Sequence, residues 1–174
     1  MTHEIRLREV AAEDIPVFFE HQRDPEATRM AAFPARDEAA HVAHWAKILA
    51  DTSVIKRAIL CDGEVVGNIG SWEKDARREL GYWIDRAHWG RGIATRALSE
   101  FLGIVHTRPL FAHVSVNNPG SQRVLEKCGF RVAGEVRVED ESPGTDIEER
   151  ILVLESAPGP GERFPDGHIE RLTQ

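Results

Sequence analysis

Cysteine is nearly absent from this chain: among 174 residues only Cys61 and Cys128 are cysteines, and they form no C-x-x-C pair. A disulfide framework or a cysteine zinc site therefore has no support, and both thiols are expected as small core residues. Tyrosine is scarcer still, with Tyr82 alone, which limits any chemistry that needs a phenol. Long apolar runs are missing too. No stretch approaches the roughly 18 apolar residues of a membrane span, and the opening Met1-Thr2-His3-Glu4-Ile5 lacks the basic and apolar regions of an export signal. The expected location is cytoplasmic, with no membrane partner. Positive charge is in deficit, with 22 Lys and Arg against 29 Asp and Glu and a formal net charge of −7. Nucleic-acid binding rests on basic side chains that release counterions, so that partner is disfavoured and a cationic one fits better.

What is present reads as one globular domain. The length suits a single core, and 41% hydrophobic with 29% charged residues is the balance of a folded chain. Neither an internal repeat nor an inter-domain linker appears. Residues 5–10 read as an edge strand, 13–22 and 37–50 as helices, the second capped by Asp37. Residues 53–61 and 64–72 read as a hairpin turning at Asp62-Gly63. A strand over 78–85, a loop over 87–92 and a helix over 93–106 follow in succession. A strand at 110–116, a helix at 121–128 and strands at 130–138 and 150–154 complete seven strands and about four helices. The domain is expected over 1–156. Residues 157–174 hold three prolines and three glycines, a density that predicts a tail either flexible or docked onto a partner chain, as in a homodimer.

The chemistry concentrates in His88-Trp89-Gly90-Arg91-Gly92-Ile93-Ala94-Thr95, a glycine loop opening a helix that follows a strand. Such a loop suits phosphate, because the first-turn N–H groups and the positive end of the helix dipole face the anion. A Walker loop is closed off, since no Gly-Lys-Ser or Gly-Lys-Thr occurs in the chain. A dinucleotide fingerprint is weak, because Thr95 stands where Gly or Ala is needed and the preceding strand follows a hairpin. Read alone, the loop also fits a turn that simply starts a helix. Its flanks decide: Glu79-Leu80-Gly81-Tyr82-Trp83-Ile84-Asp85 precedes it, and Asn117-Asn118-Pro119-Gly120-Ser121, then Val124 to Phe130, follow.

These three ordered blocks resemble the GNAT superfamily of N-acetyltransferases, and within it the ribosomal-protein (RimJ/RimL-type) N-terminal acetyltransferase branch. The pyrophosphate loop Q/R-x-x-G-x-G/A maps onto Trp89 through Ala94, with Trp89 in place of the usual Gln or Arg. The resemblance implies a single α/β domain around a mixed, twisted sheet of six or seven strands, whose central strands start side by side and then splay around the pantetheine arm of acetyl-CoA. A bulge there is expected to free an N–H near Ile84 for the oxyanion. The cofactor contacts implied are Ile84, Trp89, Gly90, Arg91, Gly92, Ile93, Ala94, Thr95, Asn118 and Arg123, with Arg96 as another candidate for the outer phosphates. Glu79 is implied as general base, its alternative being a cap for an arginine such as Arg78. Many of these enzymes give the leaving thiolate a tyrosine. Tyr82, on a strand, is not expected to take that place; the resemblance instead implies Ser121, which matches the serine that the ribosomal-protein branch sets beside the coenzyme sulfur and is itself a candidate N-cap of its helix.

The implied acceptor is a primary amine, foremost a protein N-terminal α-amine. A small amine such as an antibiotic, polyamine or amino acid is the alternative acceptor, and a non-catalytic acyl-CoA-binding module the alternative class. No metal is assigned: His41 and His44 lack a third ligand, and a polar helix face explains them. The acids Glu135, Glu139, Asp140, Glu141, Asp146, Glu148 and Glu149 read as a solvated loop that could steer a cationic amine. Trp45, Trp72, Trp83 and Trp89 are expected in the core or the cofactor wall.

Overall fold

The computed structural model describes residues 2–32, 34–138 and 147–155. Seven strands run in the order β1-β2-β3-β4-β5-β7-β6 in one open sheet. The strands are β1 (Ile5–Arg8), β2 (Ile55–Cys61), β3 (Glu64–Lys74), β4 (Arg77–Ile84), β5 (Leu110–Ser115), β6 (Arg131–Val138) and β7 (Ile147–Leu154). Every neighbouring pair is antiparallel except β4 and β5, which run parallel. The β2–β3 turn has Asp62 at φ 51° and Gly63 at φ 86°, the two left-handed residues that match a two-residue hairpin to the twist of its strands.

Five helices cover the sheet among the described residues: α1 (Asp14–Gln22), α2 (Pro25–Ala31), α3 (Glu38–Ala50), α4 (Ile93–Leu102) and α5 (Pro119–Lys127). Alternation along β2 shows how they are divided. Ile59 and Cys61 pack with Ile93, Ala97, Leu98 and Phe101 of α4, while Ala58 and Leu60 pack with Ile15, Phe18 and Trp45 of α1 and α3. Successive strand residues face opposite ways, so α4 and α5 lie on one face and α1 and α3 on the other. The α4 residues recur at i, i+4, i+5 and i+8, the stripe of a helix docked on one side. Burying Phe101 and Leu98 fully, each at 0% exposure, contributes about 1.5–3 kcal/mol apiece.

Three expectations need correction. First, α2 falls where no element was foreseen; the Asp24 side chain accepts from the Glu26 and Ala27 N–H groups at 2.9 and 3.1 Å, with Pro25 in the first turn. Second, α5 begins at Pro119, so Asn118 is its N-cap and Ser121 lies inside the first turn; the Asn118 side-chain oxygen Oδ1 accepts the Ser121 N–H at 3.1 Å. Third, no bulge interrupts β4 near Ile84: it stays in register with β3 from Lys74↔Arg77 to Gly67↔Ile84. Glycine relieves the crowding instead, since a Cβ at Gly67 would lie 2.1 Å from the Trp83 carbonyl oxygen.

Candidate active site

The sheet splits at its centre. β4 and β5 pair only through Arg78↔Leu110, Glu79↔Phe111 and Leu80↔Ala112, and beyond Leu80 the β5-facing edge of residues 81–84 has no strand partner among the described residues. β5 meanwhile pairs with β7 along its whole length. The opening leads to the loop after β4. There a single 3-10 turn (Arg86–His88) is followed by Trp89, whose indole N–H donates to the Ile84 carbonyl at 2.9 Å and ties the loop to the strand end. That bond gives the departure from Gln or Arg at this position a structural task.

Gly90 and Gly92 take φ 72° and 74°, left-handed values, and Gly92 is the N-cap of α4 with no side chain capping it. The first-turn N–H groups of α4 are thus left to an external acceptor, the arrangement a pyrophosphate suits. A cavity of about 530 Å³ lies against this turn, within the size range of ligand sites. Trp89, Gly90, Gly92, Ile93, Ala94 and Thr95 line it, and so do Ile84, Asn118, Ser121 and Arg123. Arg91 is exposed and outside the lining, and Arg96 donates to the His3 carbonyl, away from the cavity. Sequence reading missed Lys127, one turn after Arg123 on the same wall, and the α2 side chains Ala27, Met30 and Ala31, which close the far side.

Ser121 has a partner that the strand assignment of Tyr82 had hidden. The Tyr82 hydroxyl lies 2.7 Å from Ser121 Oγ and 3.3 Å from the Ser121 carbonyl oxygen. β4 and α5 cross closely enough for the long phenol to span from one to the other, so location on a strand does not keep Tyr82 from the site. Burial pushes the Tyr82 phenol up to about 12, against the opposing pull of the Ser121 bond. Tyr82 is therefore protonated throughout the working pH range.

Glu79 points to the opposite face, as its parity with buried Leu80 requires. It does not cap Arg78, which is buried and donates to Ser71 Oγ and to the Ser53 and Ser71 carbonyls. Its neighbour is His113 of β5: Glu79 Oε1 lies 3.4 Å from His113 Nε2, while His113 Nδ1 is 3.0 Å from Oε2 of Glu149 on β7. The Glu149 hydrogen bond holds the imidazole above its usual range; burial opposes this, and the nearby Glu79 charge reinforces it.

His41 departs from the polar helix face expected of it: it is buried, with Nε2 on the Ile15 carbonyl at 2.9 Å and its ring against Phe19 and Trp45. The other expectations of packing hold. Cys61 is buried and Cys128 half-buried, and burial raises both thiols. Trp45 belongs to the second core, Trp72 lies over Gly81, and Trp83 and Trp89 line the cavity. Of the acidic run, Glu135 and Glu148 pair with Arg150 and Arg137. Glu139, Asp140, Glu141 and Asp146 lie outside the described residues, as do residues 157–174. No helix among the described residues is long and apolar enough to cross a membrane.

Comparison with known proteins agrees with this geometry. The acetyltransferase (GNAT) domain family matches residues 4–131. An uncharacterized N-acetyltransferase of Bacillus licheniformis, p20, is 24% identical over 166 residues, spanning 88% of this chain and 93% of that one. A protein of Bacillus subtilis (strain 168) provisionally named a ribosomal N-acetyltransferase, YdaF, is 30% identical over 100 residues, 53% of this chain and 55% of its own. Among solved structures, spermidine N-acetyltransferase from Vibrio cholerae, in complex with CoA and spermine, superposes with a TM-score of 0.73 at 18% identity, covering 87% of this chain and 95% of that one.

Proposed function

This chain belongs to the acetyltransferase (GNAT) domain family and is an acetyl-CoA-dependent N-acetyltransferase, and from that premise we propose that its acceptor is the α-amine of a protein N-terminus. The observation that carries the reading is the sheet split, which opens between an uncapped helix start on one face and the Glu79 carboxylate on the other. The N–H groups at the start of α4 hold the pyrophosphate, with Arg123 beside it, and the unpaired edge of residues 81–84 pairs with the pantetheine arm like an added strand. An N–H near Ile84 steadies the charge that develops on the acetyl oxygen.

Glu79 takes the proton that leaves the amine as the new C–N bond forms. On the other face the Ser121 hydroxyl hydrogen-bonds the sulfur as the C–S bond breaks, while Tyr82 donates to Ser121 Oγ and so frees the serine O–H to point at the thiolate. An α-amine, with a pKa of about 8, asks less of a base than a lysine at about 10.4. Similarity to the ribosomal-type relative over 100 residues supports this acceptor and this branch of the family. A small cationic amine is the second reading, favoured by the two carboxylates, Glu79 and Glu149, that flank the acceptor side. Thiol release from acetyl-CoA, measured against peptides that differ in their first residue and against spermidine, decides between them. Turnover of spermidine with none of the peptides would refute the α-amine reading.

A further inference from the structure

Three titratable side chains from three strands meet on the acceptor face, and the reaction as described uses only one of them. Glu79 comes from β4, His113 from β5 and Glu149 from β7, brought together by the parallel pairing at Glu79↔Phe111 and the antiparallel pairing at Ser115↔Glu149. Their side-chain exposure is 12% at Glu79, 31% at His113 and 25% at Glu149. His113 and Glu149 are thus both more open to solvent than Glu79.

Both ring nitrogens face carboxylates, which accept when ionised; the shorter contact, 3.0 Å to Glu149 against 3.4 Å to Glu79, favours the proton of the neutral ring on Nδ1. Nε2 is then the acceptor, and it faces Glu79. Resting on the reading of Glu79 as base, we propose that His113 is a positioning residue that bridges Glu79 to Glu149 and relays the acceptor's proton outward. The ammonium gives its proton to Glu79; the Glu79 carboxylic acid passes it to Nε2; Nδ1 releases its own proton to Glu149, and Glu149 gives it to water. Glu79 and Glu149 return to their starting states; the imidazole is left with its proton on Nε2 and regains the Nδ1–H form by exchanging one proton in and one out with water, so no co-reactant is consumed.

The relay works only when His113 is neutral as turnover begins. The groups that bear on it are Glu149 from β7 and Glu79 from β4, which favour the imidazolium, and Lys74 from the end of β3, which opposes it. Activity therefore rises as pH climbs through the raised His113 value, on a limb that belongs to the enzyme. A limb set by the acceptor amine would instead move when the amine is changed.

The test is the pH profile of kcat/KM for the acceptor, with spermidine and with a peptide α-amine, in the parent, His113→Asn, Glu149→Gln, Glu79→Gln and the Glu79→Gln/His113→Asn double variant. The expected result is a loss of about tenfold in His113→Asn, below the roughly 10²–10⁴ of a direct general base. Its acid limb should shift to lower pH for both acceptors, and the KM for acetyl-CoA should not change. Glu149→Gln should lower the His113 titration measured by NMR, a readout that needs no turnover. The double variant should be no slower than Glu79→Gln alone. Parent-like rate and acid limb in His113→Asn, with Glu79→Gln slow, overturn the relay and leave the base in place. A parent-like Glu79→Gln overturns the base and the relay with it, and multiplying losses in the double variant overturn the relay alone.

Discussion

Ser121 was expected both to serve the leaving thiolate and to cap its helix, whereas the structure gives the cap to Asn118, so variants of the two residues should separate stability from rate. Replacing Asn118 with Ala removes the acceptor for the Ser121 N–H and with it the α5 cap. That costs about 0.5–2 kcal/mol, or roughly 2–4 °C in Tm per kcal/mol for a domain of this size. Ser121→Ala leaves the cap intact. It removes the 2.7 Å partner of the Tyr82 hydroxyl and leaves only the 3.3 Å contact to the Ser121 carbonyl, so its stability cost should stay near the ~1 kcal/mol of one hydrogen bond. The rate should fall more: a group that assists thiolate departure contributes at least the lower end of acid–base catalysis, about 10²-fold in kcat, with the Kd for acetyl-CoA unchanged. Tyr82→Phe removes only the bond that orients the serine. At about 0.5–1.5 kcal/mol this converts to a loss of roughly 2- to 12-fold in kcat. The Tyr82→Phe/Ser121→Ala double variant should be no slower than Ser121→Ala, because the tyrosine acts through the serine. Steady-state kinetics beside thermal unfolding reads all of this. If Ser121→Ala turns over as fast as the parent at saturating substrates, the thiolate takes its proton from water or from the amine, and the Tyr82–Ser121 pair serves only packing.

Three further outcomes follow from other parts of the fold. Gly92→Asp should abolish acetyl-CoA binding measured by calorimetry; a Cβ there meets nothing within 4 Å, so the cause is φ 74°, worth about 1–2 kcal/mol in an L-residue, plus a carboxylate facing phosphate. Unchanged affinity in a folded variant would remove the pyrophosphate from this loop. Glu79→Gln should lose rate mainly at low pH, where the amine must shed a proton, and a loss equal at every pH would assign Glu79 a positional role. Asp14 is 4% exposed and its carboxyl is held below the usual range, first by the Arg8 hydrogen bond. A depressed carboxyl stabilises the fold above its unfolded value near 3.9 and loses that contribution as pH falls through the folded value. Asp14→Asn should therefore cost about 1–3 kcal/mol at pH 7, and its denaturant midpoint should converge on that of the parent below about pH 4; a constant difference down to pH 2 would refute the linkage.

Local signals were legible where a residue acts through its own neighbours. Asp62-Gly63, the Asp37 cap and the glycine loop each carry their backbone requirement in two or three adjacent residues, and each appears where the sequence puts it. The same kind of signal was present at Asp24-Pro25-Glu26 and at Asn118-Pro119. There a cap followed by proline marks a helix start, but α2 is only seven residues long and shows too little apolar periodicity to be read without the cap. What spacing could not convey is the reach of a side chain. Tyr82 was assigned by its strand, although its hydroxyl ends on α5. His113 acquires its meaning from Glu149, 36 positions later, and from Glu79, 34 positions earlier, through two pairings of opposite sense.

Parity along β4 explains why the chemistry needs the split. Leu80 and Tyr82 face α4 and α5, and Glu79 faces the other way. In an unbroken sheet these two sets would be separated by the hydrogen-bonded backbone itself, and a base on one face could not serve the same acyl carbon as a hydroxyl on the other. Ending the β4–β5 pairing at Leu80↔Ala112 removes that wall for the residues that follow. Proton removal from the amine and support of the departing sulfur can then converge from opposite sides without touching one another. In the proposed relay the separation has a kinetic use: a proton accepted by Glu79 moves away toward Glu149 and solvent, so the nitrogen of the tetrahedral adduct is not reprotonated before the C–S bond breaks.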